Sequence, residues 1–308
     1  MTDLFEQQDI KPMLIGAEGE AFDSPDYIYE LKLDGERCIA YLDTNSTELR
    51  NKRNIKMLSK VPELSEIHKH VNCRCILDGE LIVIKDGKPD FYEIQRRSLM
   101  TNPAKIEIAS KKHPACFTAF DILYVKDYAV NDLPLTERKE LLKQVVIEES
   151  EVFAVSRIIE NNGTAFFNLA KAQNLEGIVA KRKDSHYHFD KRTKDWIKCK
   201  NLKDDDFIIC GYIPKSGGMT SIILGQYFEG TIKNKGHVTL GVGSEAFQKI
   251  QSLPRVNPLF ENAEGAIFVE PVLCCTVKYM EKNISGSLRQ PVFKALREDK
   301  LPEECTEH

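Results

Sequence analysis

The sequence has no apolar run that approaches the length of a membrane span, which excludes a helical membrane anchor within it. Aromatic residues make up 8% of the 308 residues, with a single tryptophan, and there is no internal repeat and no low-complexity tract. A strong charge of either sign is also missing: the net charge is −4, so any nucleic-acid surface must be local. The nine cysteines are an odd number without framework spacing and with no signal peptide ahead of them, which predicts reduced thiols in a cytoplasmic protein. Cys73-x-Cys75 and Cys274-Cys275 lack a second pair at zinc spacing and are expected as small buried hydrophobes. His186-x-His188 reads as a surface pair.

What is present is an apolar fraction of 42%, enough for one large or two ordinary domains. Up to about residue 200 strands and helices alternate. Tyr27–Lys32 and Arg37–Leu42 flank Asp34-Gly35, a hairpin signal. Cys75–Ile84 is an apolar run interrupted by Asp78-Gly79-Glu80, and Asp86-Gly87 turns it back. Phe91–Leu99 predicts a short helix. Pro134–Glu149 predicts a longer one, with Leu135, Leu141, Leu142 and Val145 as its stripe and Thr136 as cap. Phe117–Tyr124 reads as a strand, Thr164–Gln173 as a helix leading into Leu175–Lys181, and Trp196–Lys200 as a last strand. The class is mixed antiparallel α+β. Asn201–Asp206 is polar and reads as a hinge. From Phe207 onward short strands alternate with glycine turns at Gly217-Gly218, Gly225, Gly230 and Gly241-Val242-Gly243, with one helix at Ser244–Ser252. That pattern suits a small Greek-key barrel of the oligonucleotide-binding (OB) kind.

The chemistry centres on Lys32 in Tyr29-Glu30-Leu31-Lys32-Leu33-Asp34-Gly35-Glu36-Arg37. A lysine held between acids at a strand end is costly unless it is used, and suggests a nucleophile. To attack phosphorus it must react as the neutral amine, which nearby cations favour. Lys198 and Lys200 share strand parity with Trp196 and are candidates for that field. Glu80 and Glu176 each lie at the edge of an apolar stretch, as structural hydrogen-bonding groups or as ligands of a hydroxyl or Mg²⁺. Cations for phosphates, carboxylates for a metal and a placed nucleophile are the ingredients of phosphoryl transfer. Lys181–Lys203 holds nine Lys or Arg against three Asp, which suggests a polyphosphate or nucleic-acid surface. Lys181–Lys183 can also be read as a solvated face.

Lys-x-Asp-Gly-x-Arg resembles the signature of the covalent nucleotidyltransferases. With it, in order, stand Leu49-Arg50-Asn51, Pro62-Glu63-Leu64, Leu77-Asp78-Gly79-Glu80, Phe91–Arg97, Ala119-Phe120-Asp121-Ile122-Leu123-Tyr124, Glu176–Lys181, Trp196-Ile197-Lys198-Cys199-Lys200 and Leu288–Phe293 leading into Leu296–Lys300. From about Pro12 to Lys300 the set resembles an ATP-dependent DNA ligase, most similar to the ligase domain of bacterial nonhomologous end-joining ligases. The resemblance implies an ATP-grasp-like nucleotidyltransferase (adenylation) domain at 1–201 and an OB-fold β-barrel at 202–308. It implies that Lys32 carries AMP from ATP, that Glu30 reads adenine and that Phe120 stacks on it. Arg37 and Arg50 would contact ribose or the 5′-phosphate of the nick, with Arg192 and Lys200 also toward DNA. Glu80 would bind ribose or metal, Glu176 the metal, Mg²⁺ or Mn²⁺, and Lys198 and Lys200 the α-phosphate. Arg297, with Asp299 and Lys300, would come from a mobile second domain to orient the pyrophosphate. The implied partner is nicked duplex DNA, with a bacterial Ku-like protein as recruiter; a nucleoid-associated, cytoplasmic monomer is expected. The chain departs from the family pattern at Asn51-Lys52-Arg53 and at Tyr187–Arg192. It also shows no large amino-terminal DNA-clamping domain and no fused polymerase or nuclease. An RNA ligase, a GTP-dependent RNA capping transferase and a non-catalytic scaffold for DNA ends are the alternatives.

Overall fold

A computed structural model describes residues 3–215, 220–261, 265–283 and 286–307, so the expected Gly217-Gly218 turn lies outside the described residues. The chain divides into two compact units, Met1–Asn201 and Leu202–His308.

The first unit runs α1 (Leu4–Gln7), β1 (Leu14–Glu18), β2 (Tyr27–Leu31), β3 (Glu36–Leu42), β4 (Thr47–Asn51), β5 (Cys75–Lys85), β6 (Lys88–Pro89), α2 (Phe91–Leu99) and α3 (Pro103–Lys112). It continues with β7 (Ala115–Val125), β8 (Tyr128–Ala129), α4 (Leu135–Val145), β9 (Phe153–Val155), β10 (Ile159–Glu160), α5 (Gly163–Ala172), β11 (Gly177–Arg182) and β12 (Arg192–Lys200). Among the described residues these strands form two sheets. The larger has the order β4-β3-β5-β7-β8, with β6 on β5 and β9 on β7; the smaller has the order β1-β12-β11-β2-β10.

Alternation along the strands sorts the side chains into layers. Cys38, Ala40 and Leu42 of β3 face a core shared with Ile94 of α2 and Leu142 and Val145 of α4. Ile39 and Tyr41 face the other way and pack with Ile28, Val179 and Trp196 of the smaller sheet. The back of that sheet, Tyr29, Ile178, Ala180 and Cys199, is covered by Phe166 and Ala170 of α5. The two sheets thus face each other across a shared apolar layer, and the functional residues lie at its margin.

The hairpin expected across Asp34-Gly35 does not form. β2 pairs with β10 and β11, and β3 with β4 and β5, so the Asp-Gly segment carries the chain from one sheet to the other. Gly35 does not have the positive φ of a hairpin turn. It is required for closeness instead, because a Cβ there would sit 2.2 Å from the Leu81 carbonyl oxygen. Asp86 and Gly87 do form the expected tight turn, with φ of 51° and 77°, between β5 and β6. Asp78-Gly79-Glu80 does not interrupt β5.

α2 matches its expected span and is capped by Asp90, which accepts from Glu93 N at 3.0 Å. α4 stops at Val145, short of the expected Glu149, because extended Val146 pairs with Val71. Thr136 is not its cap; Pro134 holds that position without a side-chain bond. α3 was not foreseen, although Asn102 as cap and Pro103 in the first turn are ordinary helix-start signals.

The second unit contains β13 (Lys203–Pro214), β14 (Thr220–Phe228), β15 (Thr231–Val238), α6 (Ser244–Gln251), β16 (Ile267–Phe268), β17 (Cys274–Tyr279) and β18 (Val292–Arg297). The order is β15-β14-β13-β17-β18, with β16 on β13. A parallel bridge between Leu240 and Val292, with Phe293 N donating to Leu240 O at 2.8 Å, joins the chain after β15 to β18. The strands curl into the OB-type barrel around Phe207, Leu224, Val277 and Phe293, with Ile250 of α6 in the same core. Two expectations are corrected here. Most of the expected hinge Asn201–Asp206 belongs to β13. Its acids are ion-paired: Asp204 with Lys294 and Asp206 with Arg297 on β18, Asp205 with Lys282 and Asp206 also with Lys300. Gly225 is no turn but lies inside β14, where a Cβ would meet Cys210 Sγ at 2.6 Å. No helix among the described residues is long and apolar enough to cross a membrane.

Candidate active site

Lys32 follows the last residue of β2, and its amide extends the ladder by donating to Gly177 O at 2.9 Å. That register places its ammonium 2.8 Å from Glu176 Oε1, a carboxylate almost removed from solvent. From the facing sheet come Arg37 and Glu80, cross-strand neighbours on β3 and β5. Lys32, Arg37, Glu80, Glu30 and Phe120 line one crevice, with Trp196 and Val179 as wall. Burial pushes the Glu80 carboxyl up to about 8; Glu176 and Asp78 push the same way, while Arg37 and Lys32 oppose it.

Lys198 and Lys200 do alternate with Cys199 as expected, and Cys199 belongs to the core under α5. Lys200 is 2.9 Å from Glu18 of β1. Lys198 is pushed below the ordinary lysine value, first by burial and then by Lys200, with Lys32 adding in the same direction. Lys198 is therefore within reach of the charges of both Lys200 and Lys32. Lys32 is ion-paired to Glu176.

The far end of the crevice is an aromatic and ionic floor. The Arg37 guanidinium lies 4.4 Å from the centroid of the Phe120 ring. The Lys181 ammonium lies 4.4 Å from Phe120 and 4.2 Å from Trp196. Lys181 is 3% exposed, which overturns its reading as part of a solvated face; Arg182 and Lys183 do stay near the surface, paired with Asp184, Asp195 and Glu160. Burial pulls Lys181 down to about 8 against the attraction of Glu30. Glu30 is buried between Lys181, at 3.1 Å, and Lys139 of α4.

Three side chains that sequence reasoning did not single out hold this arrangement. Asp78, fully buried, receives two 2.5 Å bonds from Arg37 and one of 2.5 Å from the Tyr187 hydroxyl. Tyr187 also accepts from Met13 N at 3.0 Å, so the segment that departs from the family pattern supplies a buried tie. Lys139 joins Glu30 to the Phe120 carbonyl. The signal for Asp78 was visible as an acid inside an apolar run.

Other expected residues lie outside the lining. Arg50 is on the crevice face of β4, opposite Ile39, but bonds Glu48 at 3.1 Å and Gln8 at 3.2 Å. The Lys52-Arg53 turn beyond it is exposed, and Asn51 Oδ1 holds that turn by accepting from Arg53 N and Ile55 N at 3.0 Å. Arg192 starts β12 and donates to Ile15 O at 2.9 Å. Arg297 belongs to the second unit, where it meets Asp299 through two 2.8 Å bonds and Asp206 at 3.1 Å. Asp299 is held down to about 2, chiefly by that hydrogen bond. The His186 and His188 rings are 6.4 Å apart, and all nine cysteines are free. A larger cavity, about 670 Å³, lies on the outer side of Lys139 against Leu142, Val146 and Ile158. Its charged rim carries the pairs Lys143–Glu140 and Arg157–Glu149, and none of the expected site residues lines it.

Residues 15–200 match the family described as ATP dependent DNA ligase domain, and residues 215–300 match ATP dependent DNA ligase C terminal region. The SPbeta prophage-derived DNA ligase-like protein LigB of Bacillus subtilis is 33% identical over 94% of this chain and 99% of its own length. The multifunctional non-homologous end joining DNA repair protein LigD of Mycobacterium tuberculosis is 27% identical over 98% of this chain, but the match spans only 40% of LigD. The crystal structure of the ligase domain from M. tuberculosis LigD shares the fold, with a TM-score of 0.57 at 24% identity, covering 98% of this chain and 99% of that one. Both units match DNA ligase regions, which sets the RNA ligase, capping and scaffold alternatives aside. The chain belongs to the ATP-dependent DNA ligase family.

Proposed function

We propose that Lys32 is the nucleophile of this ligase and that the chain seals nicks bearing a 3′-OH and a 5′-phosphate in duplex DNA. The observation that carries the reading is the placement of Lys32 in one crevice with Arg37, Glu80, Glu30 and Phe120, 2.8 Å from Glu176. Lys32 Nζ, freed from Glu176 and having lost a proton to water, attacks the α-phosphorus of ATP; the N–P bond forms as the bond to pyrophosphate breaks, and a second N–H proton goes to water. An oxygen of the DNA 5′-phosphate then attacks the phosphorus of the bound AMP as the N–P bond breaks and Lys32 regains a proton; last, the 3′-OH attacks the 5′-phosphorus, giving its proton to water as AMP leaves.

Residues 1–201 are assigned to adenylation and 202–308 to the OB-fold domain. Lys198 and Lys200 hold the α-phosphate, Glu80 the ribose hydroxyl and Glu30 the base edge, which stacks on Phe120 once Arg37 gives up that ring. Arg37, Arg50, Arg192 and Lys200 are assigned to DNA phosphates, and Arg297 to the pyrophosphate. Glu80 and Glu176 suit a divalent cation, Mg²⁺ or Mn²⁺. Their mutual repulsion contributes to the high value of Glu80, and a cation would relieve it. Among the described residues no group of three or more His, Cys, Asp or Glu forms a closed cage. That suits a cation held by one or two carboxylates together with water and phosphate oxygens. When bound it neutralises charge on the phosphates. The name of the LigD relative supports a place in DNA repair and end joining. To the same reading belong a Ku-like end-binding protein as recruiter and action as a monomer on nucleoid DNA in the cytoplasm.

The test is incubation with ATP labelled at the α-phosphate, then with a nicked duplex. Wild type should take up label and pass it on while sealing, and Lys32→Ala should do neither. Label retained by Lys32→Ala would show that another residue is the nucleophile.

A further inference from the structure

We propose that Lys139 is the positioning residue that sets nucleobase choice, by holding Glu30 as a hydrogen-bond acceptor toward the base and anchoring the backbone of Phe120. This rests on the assignment of Glu30 and Phe120 to the base. Lys139 lies on the buried stripe of α4, four residues after Leu135 and three before Leu142, where an apolar residue would be expected. It is buried instead as a lysine, 4% exposed, and its ammonium has two partners. One is the Glu30 carboxylate on β2. The other is the Phe120 carbonyl on β7, at 2.6 Å. A single ammonium therefore joins the base-reading acid of one sheet to the stacking ring of the other.

A carboxylate only accepts hydrogen bonds. It pairs with the exocyclic amine of adenine and repels the carbonyl oxygen that guanine presents at the same position. That selectivity lasts only while Glu30 stays ionised. Burial alone would push its proton affinity up, and Lys139 and then Lys181 outweigh burial and hold it down. Of the two ammonium groups Lys139 is the stronger influence on Glu30, and it alone also bonds the Phe120 carbonyl. Without Lys139, Glu30 would gain a proton, become a donor and tolerate a carbonyl oxygen.

The experiment measures covalent labelling of the full chain by ATP and by GTP, each labelled at the α-phosphate, over a range of concentrations. Wild type, Lys139→Met and Lys139→Arg are compared, with thermal melting of each. Lys139→Met should raise the KM for ATP on the order of tenfold, move the maximal rate less, and narrow the ATP-over-GTP preference on the order of tenfold. Lys139→Arg should restore most of the preference. An unchanged preference in a folded Lys139→Met, or a loss that follows melting temperature alone, overturns the proposal. Should Lys139→Met fail to fold, Glu30→Gln carries the test, because its amide donor should narrow the preference in the same way; an unchanged preference there also overturns it. A wild type that is labelled by neither nucleotide instead refutes the nucleophile assignment, and the base-reading assignment falls with it.

Discussion

Asp78→Ala removes the acid that fastens Arg37 and Tyr187. Asp78 is fully buried and takes three bonds of 2.5 Å, two from the Arg37 guanidinium and one from the Tyr187 hydroxyl. Alanine leaves a guanidinium and a hydroxyl without their acceptor. Removing one partner of a buried pair costs roughly 3–5 kcal/mol, mostly because the remaining charge stays desolvated. The Arg37 side chain is 17% exposed and can turn part of its fork to water, so the lower end, about 3 kcal/mol, is expected. With a denaturant slope of about 3 kcal/mol/M for a unit of this size, the urea midpoint should fall by about 1 M. Trp196 is the only tryptophan, lies in the first unit and is 1% exposed, so its fluorescence reports that unit's unfolding without signal from the second. Asp78→Asn keeps an acceptor for Tyr187 and should cost roughly half as much. A midpoint shift under about 0.3 M for the alanine variant would refute the view that Asp78 holds the crevice together.

Gly35→Ala would drive a Cβ to 2.2 Å from the Leu81 carbonyl, and it should cost about 1–3 kcal/mol in urea unfolding and at least tenfold in self-adenylation, because Gly35 lies between Lys32 and Arg37. Lys181 is pulled from the ordinary lysine value down to about 8, so the folded state sheds this proton before the unfolded state does. The penalty for burying the charged form is fully present below pH 8 and is relieved as pH rises toward 10.5. Wild-type stability should therefore gain up to roughly 3 kcal/mol over that window relative to Lys181→Met, and parallel pH profiles for the two proteins would count against the buried ammonium. Affinity for a nicked duplex should fall steeply with salt, as log K against log [salt], and replacing Arg192 by alanine should reduce the slope by about 1; an unaltered slope would remove Arg192 from the phosphate contacts.

Much of the fold could be read because its signals are local. α2 follows from its Asp90 cap, α5 and α6 from spaced apolar residues, and the β5–β6 turn from an Asp-Gly pair with positive φ. Apart from α3, whose start signals were local, the main errors share one cause. Asp34-Gly35 carries the same dipeptide as Asp86-Gly87, yet one crosses between sheets and the other turns a hairpin. The difference is the Leu81 backbone packed against Gly35, which is remote in sequence. The acids at Asp204–Asp206 look like a linker until their partners on and beyond β17 and β18 are known.

The same limit applies to the site. Strand parity correctly put Lys198 and Lys200 on the face of Trp196, and the structure adds Lys181, the cross-strand neighbour of Trp196, to that face. Parity gives the direction of a side chain but not its depth. Near the end of β12 the face opens and its lysines keep some solvent. At Lys181 the facing sheet closes over it with Phe120, and the same residue type becomes a buried ammonium stacked on two rings. Depth is set by the pairing of whole sheets, and it is depth that turns Asp78, Lys139 and Lys181 from ordinary charges into groups whose partners must be supplied. A buried charge is tolerated only with such partners. That is why Lys139, in a position where the helix pattern calls for an apolar residue, marks the place where the fold and the chemistry depend on the same bond.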